Sequence, residues 1–435
     1  MVQRGRSAAL LVAVVLCAVF VAGGAAANWS DVDQILQAGV QDGAYPGCVA
    51  LVGNKNGIIY ERAVGHYTYG ATPPFSSRNP PMAIDTLFDM ASCTKVTTTT
   101  TAVAQFYQRG ELPLHTRIAD VLGKEYAQHG KGDITVLNCL LHNTGYPPDP
   151  SPNYWDPAFG CPETRKPHPE ENFSCQDRIY KSLLAQTLAN PVGSVYVYSD
   201  LSMITLMYVV GNLAKDLGYV KPTDLIAGCD QGGPGAAQCY FEAYVRRYVF
   251  HQASMYDSYE WSRSAPCEND TTYLHKVIQG QVSDGNAYAL GGIAGHAGLF
   301  SNVRDLFKLM HRWMWAAPND HWLNTSTAEF FVKEYNHSQS SRALGWNTND
   351  PTVRDQGWGL SCGALSAKTF MHIGYTGTEM CGDPVNGVVT ILLTNRVYPS
   401  SDNEKVGIYR RKFNNAVVQV LGLSGSDSGP IVVQE

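Results

Sequence analysis

The reading of this chain turns on the stretch Asp89-Met90-Ala91-Ser92-Cys93-Thr94-Lys95, followed at once by VTTTTTAVAQF from Val96 to Phe106. A serine and a lysine three apart share one face of a helix, so the amine reaches the hydroxyl. The segment Val96 to Tyr107 predicts that helix, since it lacks Pro and Gly and Gly110 lies just past its end. Taken alone, the pair also reads as an exposed helix start capped by Ser92. The chemical alternative is a nucleophile and its base, because a lysine desolvated near a helix N-terminus loses its charge and takes the serine proton. The uncharged, apolar residues that follow Lys95 fit burial.

Two more stretches supply partners. Tyr198-Ser199-Asp200 stands just before an apolar helical segment, Leu201 to Leu213. A phenol beside a lysine shuttles a proton to a leaving group. Its plainer reading makes Asp200 a helix cap and Tyr198 a core residue. The stretch Met371-His372-Ile373-Gly374-Tyr375-Thr376-Gly377-Thr378 reads as a strand edge whose glycines let a substrate approach backbone N–H groups. Its plainer reading is a Gly-kinked strand with a core histidine.

The surrounding chain sets bounds. It has 435 residues, 44% hydrophobic and 16% charged, enough for a large core. A net charge of −6 and the absence of a Lys/Arg run exclude nucleic acid as an expected partner. Arg4 and Arg6, an apolar run from Ala8 to Ala22 and a small-residue end at Ala27 read as a signal peptide, residues 1–27. The alternative is an uncleaved anchor; no later segment is long and apolar enough to span a membrane. Of 11 cysteines, Cys17 lies in that leader, and Cys161 with Cys175 and Cys229 with Cys239 bracket loops as local staples. Asn28, Asn172, Asn269, Asn324 and Asn336 are sequons. No His-x-x-x-His or paired-Cys metal spacing occurs, so neither metal nor cofactor is expected.

Ser30 with Asp33 looks like a capping box that opens a helix bearing Val32, Ile35, Leu36 and Val40 on one face. Cys48 to Val52 and Ile58 to Tyr60 flank an Asn56-Gly57 turn, a hairpin signal. Tyr146 to Cys175 is Pro-, Asp- and aromatic-rich and reads as a long ordered loop or lid. Leu183 to Leu188 reads as helical, and Gly228–Gly235 as a surface loop without the pattern of a phosphate loop. Val388 to Thr394 is a buried-strand run after an Asp383–Gly387 turn, and Lys405 to Leu421 is an amphipathic helix. The pattern predicts an α+β fold in which both chain ends build an antiparallel sheet and a mostly helical region is inserted between them.

Together the three motifs, with separations of 106 and 174 residues, resemble the serine β-lactamase and penicillin-binding protein superfamily. The likeness is to its branch of class C β-lactamases, D-alanyl-D-alanine carboxypeptidases and family VIII esterases. Tyr45 to Val52, Leu140 to Tyr146 and Ala287 to Ser301 add to it, the last resembling carboxypeptidase-type members related to penicillin-binding protein 4B. The resemblance implies a β-lactamase/transpeptidase-like domain over residues 28–422, with its α/β part at about 28–90 and 290–422 and its helical part at about 91–289; residues 423–435 form a disordered tail. It implies Ser92 as acylated nucleophile, Lys95 as base and Tyr198 as proton carrier. It implies further that His372 stands near Tyr198 and a substrate carboxylate, that Ser92 and Tyr375 N–H groups beside Gly374 form an oxyanion hole, and that Asn395 and Arg396 hold an anionic substrate end.

There are departures. Asp200 stands where the lactamases carry asparagine; an ionised carboxylate donates no hydrogen bond and raises the lysine pKa. Ile373 replaces a small hydroxyl residue, and Cys93 reads as a small buried residue. The expectation is a secreted serine hydrolase acting on a small-molecule or peptide ester or amide. Its rivals are a catalytically silent binding protein of the same fold and an acyltransferase using the same site.

Overall fold

The computed structural model describes residues 27–70, 79–161, 173–255, 263–352 and 360–424. The leader residues 1–26, the sequon at Asn172 and the tail from 425 lie outside them.

An apolar run without a polar break requires cover on both faces of a strand, and β1 (Gly47–Asn54) has it. Alternation sends Val49 and Leu51 into one core and Cys48, Ala50 and Val52 into another. The Asn56-Gly57 turn returns the chain as β2 (Gly57–Gly65). The remaining strands come from late in the chain: β3 (Asn347–Thr348), β4 (Phe370–Ile373), β5 (Glu379–Asp383) and β6 (Val388–Thr394). The sheet order is β2-β1-β6-β5-β4-β3, antiparallel throughout, with Leu51 opposite Ile391 on one side and Glu61 on the other.

One face carries α1 (Ser30–Gln41) against the C-terminal helix over Val406–Leu421, whose Val406, Tyr409, Phe413, Ala416 and Val417 are buried. On the other face, the helix over Val303–Met314 lays Phe307 and Met310 against the sheet; Phe307 sits where a Gly53 side chain would be. Between the two halves lies a helical region. It includes α2 (Thr101–Gln108), α3 (Gln176–Ala185), α4 (Asp200–Asp216) and α5 (Ala237–Tyr244). The α+β pattern read from the sequence is the one observed.

Three local expectations are corrected. Ser30 does not cap α1; it is the first helical residue, and Asp33 accepts the Tyr60 hydroxyl at 2.7 Å. The helix read over Leu183 to Leu188 runs Gln176–Ala185, because Gln186 turns its side chain back onto Ser151 and Ser182. The helix after Lys95 opens as a π-turn over Lys95–Thr100 before α2. Its threonines bond backward, Thr97 Oγ1 to the Cys93 carbonyl, Thr98 Oγ1 to that of Thr94 and Thr101 Oγ1 to that of Val96. Such side chains compete with the i−4 ladder.

The Cys161–Cys175 and Cys229–Cys239 staples are present, and Cys362–Cys381 is a third bridge the spacing did not signal. Cys381 lies in β5, so only strand order brings its partner near.

Helices α4 and α5 cross at Gly211, where an added Cβ would collide with the Ala237 carbonyl oxygen. Gly211→Ala is therefore expected to destabilise the fold by about 1–3 kcal/mol, read from the midpoint of chemical denaturation. An unchanged midpoint would show that the two helices part without penalty.

Candidate active site

The nucleophile candidate is aimed by a strained elbow. Ala91, just before Ser92, takes φ +44°, a region that side-chain-bearing residues avoid. Asp89 holds it there: one carboxylate oxygen accepts the Ala91 N–H at 2.9 Å, and the other accepts Ser283 N–H and Oγ–H at 2.8 and 3.0 Å. The elbow is stitched to the sheet as Thr376 Oγ1 donates to the Asp89 carbonyl and Thr378 Oγ1 to that of Met90. Gly374 permits that closeness, since a Cβ there would stand 2.6 Å from the Met90 carbonyl oxygen. Its bare backbone accommodates the serine loop.

Lys95 is fully buried and its Nζ contacts Ser92 Oγ at 2.9 Å, the His296 carbonyl at 3.1 Å and Asp200 Oδ1 at 2.7 Å. Burial favours the neutral amine, but the Asp200 charge and then Tyr198 outweigh it, and the pKa rises above the ordinary lysine value. The resting group is an ammonium donating to Ser92. Asp200 is the first residue of α4, and its carboxylate turns to Lys95 while Ser199 occupies the N-cap.

Tyr198 lies with its ring centre 4.9 Å from Lys95 Nζ. Burial pushes its phenol up, against the pull of Lys95. His142 tilts over the ring with centroids 4.7 Å apart and accepts the Ser199 N–H on Nδ1 at 3.1 Å, which leaves its proton on Nε2. Arg342, also fully buried, sits 5.2 Å from the Tyr198 ring and bonds the Tyr196 hydroxyl at 3.0 and 3.2 Å.

His372 stands near Tyr198 as expected, but neither it nor Asn395 is among the residues that line the cavity. His372 is buried off the cavity wall with its ring 6.3 Å from that of Tyr198, and its Nδ1–H donates to the Ile373 carbonyl at 2.8 Å. Burial, with Arg342 and Lys95 nearby, holds its pKa well below the usual range, so it is neutral and brings no charge to a substrate carboxylate. Asn395 is buried too, donating to the Tyr67 and Pro266 carbonyls at 2.8 and 2.9 Å. Ile373, Gly374 and Tyr375 do line the cavity with Ser92, Tyr198 and Asp200. Among the described residues, neither the Ser92 nor the Tyr375 N–H is engaged by another group. Both remain available to a developing oxyanion.

Other residues complete the site without a local sequence signal. His296 is fully buried with Nε2 3.1 Å from Asp284 Oδ1. Burial opposes its charge, but Asp284 and then Asp200 raise its pKa. Burial likewise opposes the Asp284 charge, yet His296 draws that carboxylate down to about 2. Ligand atoms of Asp200, Asp284 and His296 lie within 4.8 Å of one another. That cluster is already neutralised by Lys95 and by the histidine.

Comparison with known proteins assigns the family and the fold. Residues 32–414 match the family described as Beta-lactamase. The chain belongs to the Beta-lactamase family. Within it, the chain is 25% identical over 382 residues to an Escherichia coli (strain K12) protein named "Putative D-alanyl-D-alanine carboxypeptidase", covering 84% of this chain and 82% of that one. A Salmonella agona protein of the same name is 24% identical over 388 residues, with the same coverage. Among solved structures, EstCE1, a hydrolase with promiscuous acyltransferase activity, superposes with a TM-score of 0.61 at 18% identity, covering 89% of this chain and 97% of its own. A penicillin-binding protein homologue from Caulobacter crescentus gives 0.59 at 16%, with the same coverage. These likenesses show the β-lactamase/transpeptidase fold, and family membership makes the chain a β-lactamase-related serine hydrolase.

Two consequences of the electrostatics are measurable. Asp200→Asn removes the charge that keeps Lys95 protonated, so the rising limb of kcat/KM against pH with a p-nitrophenyl ester should move at least about one unit towards acid. An unmoved limb separates Lys95 from the rate. Arg342→Met removes a cation that favours phenolate, so the alkaline limb of the same profile should move up while Arg342→Lys partly restores it.

Proposed function

We propose that Ser92 is the nucleophile of an acyl-enzyme that cleaves esters or amides. The observation that carries this is the contact of Ser92 Oγ with a fully buried Lys95 whose charge is set by Asp200. The reactive form is the one in which Lys95 has lost its proton. In it the amine takes the Ser92 proton as Oγ attacks the carbonyl carbon, and the oxyanion lies against the N–H groups of Ser92 and Tyr375. Tyr198 passes a proton to the leaving group as the bond to it breaks, and Lys95 returns to Tyr198 the proton it took from Ser92. Water then attacks the acyl-Ser92 carbonyl, freeing the acid and returning the proton to Ser92. An acceptor alcohol in place of water gives acyl transfer; the neighbour EstCE1 supports keeping this as a second outcome of the same site.

The proposal also places the chain in the secretory pathway. Three disulfides, and exposed sequons at Asn28, Asn269 and Asn336, support it.

A fluorophosphonate should form one adduct on Ser92, located by peptide mass spectrometry and absent in Ser92→Ala. Lys95→Ala should reduce the labelling rate by about two orders of magnitude or more. No adduct on the wild-type protein would overturn the reading in favour of a silent binding protein, and labelling of Ser92→Ala at the wild-type rate would place the nucleophile elsewhere.

A further inference from the structure

The cavity in front of Ser92 measures about 970 Å³, and its lining is unusual for a site that takes an anionic substrate end. Six acidic residues line it, Asp149, Asp200, Glu268, Asp270, Asp284 and Glu404, against two arginines, Arg396 and Arg410. Both arginines direct hydrogen bonds at backbone carbonyls: Arg396 at Tyr375, Ser401 and Asn403, Arg410 at Gly374 and Thr378. Even with Lys95 and His296, behind the wall, both counted as cations, the balance stays negative.

The carboxylates are not equivalent. Asp200 is matched by Lys95 and Asp284 by His296, while Asp270 closes a turn on the Thr272, Tyr273 and Leu274 amides. Asp149 has no cation within ion-pairing distance among the described residues. It stands on the exposed side of the cleft, in the field of Asp200 and Asp284.

Aromatic rings stand beside these acids. Trp155 and Tyr273 have ring centroids 6.2 Å apart, and Tyr273 and Tyr288 5.8 Å. Trp155 lies against Gly285, next to Asp284, where a Cβ would come within 2.6 Å of the indole. Ring faces next to carboxylates are the surroundings that favour an ammonium group; a carboxylate there meets like charge.

Resting on the acyl-enzyme reading, we propose that this cleft selects ester or amide substrates bearing an ammonium group, held between Asp149 and the Trp155–Tyr273 wall while the acyl carbon reaches Ser92. The wall disfavours substrates that end in a carboxylate.

The test compares acetylthiocholine with 3,3-dimethylbutyl thioacetate, which differs by carbon in place of the charged nitrogen. At low ionic strength kcat/KM should favour the thiocholine ester by about tenfold or more, and the ratio should fall as salt is added. Asp149→Asn and Trp155→Ala should each cut the ratio at least about threefold, and Asp149→Glu should restore it. If neither thioester turns over, protection of Ser92 from the fluorophosphonate by choline, against 3,3-dimethylbutanol, reads the same preference. Equal ratios with Ser92 still labelled overturn the ammonium preference and leave the acyl-enzyme standing. Loss of both labelling and turnover overturns the two together.

Discussion

A fully buried ammonium is the constraint on which the arrangement depends. Lys95 Nζ has no water to solvate it, and an unpaired charge at that depth is expensive enough to unfold a domain or neutralise the group. Asp200 at the head of α4, the Ser92 hydroxyl and the His296 carbonyl together satisfy it. Each comes from a different part of the chain, so meeting that requirement brings the elbow, the head of α4 and the segment at His296 to one point. The nucleophile is thereby placed as a by-product of solvating the lysine.

The same pairing sets the chemistry. A carboxylate where lactamases carry an amide stabilises the charged lysine, and the base is present only in the minority of molecules that have lost its proton. Tyr198 is surrounded by cations and neutral imidazoles, Lys95 and Arg342 on one hand and His142 and His372 on the other. Lys95 and Arg342 lower the cost of a transient phenolate against burial and the Asp200 charge, which raise it. The wall opposite is acidic and aromatic.

Much of the frame was readable from the linear chain because its signals are local. The hairpin at Asn56-Gly57, the strand at Val388–Thr394 and the helix to Leu421 each follow from residues within a few positions of one another. Ser92 and Lys95 were readable for the same reason, one helical turn separating them. For His372 and Asn395 a motif gives position along a strand but not depth. Both are buried, one donating to its neighbour's carbonyl and the other to two distant carbonyls. The roles of Asp89 and His296, though both lie in stretches the sequence singles out, and of Asp284 and Arg342 were not legible, since partners such as Ser283 for Asp89 and Tyr196 for Arg342 stand 194 and 146 residues away.

What the sequence determined by itself is the α+β architecture and the short-range pair of serine and lysine. Periodicity, turn chemistry and helical spacing act over distances the chain cannot avoid. What only the tertiary structure decided is the charge state of that pair and the character of the cleft. Both depend on burial and on fields from groups that folding alone brings within a few ångströms.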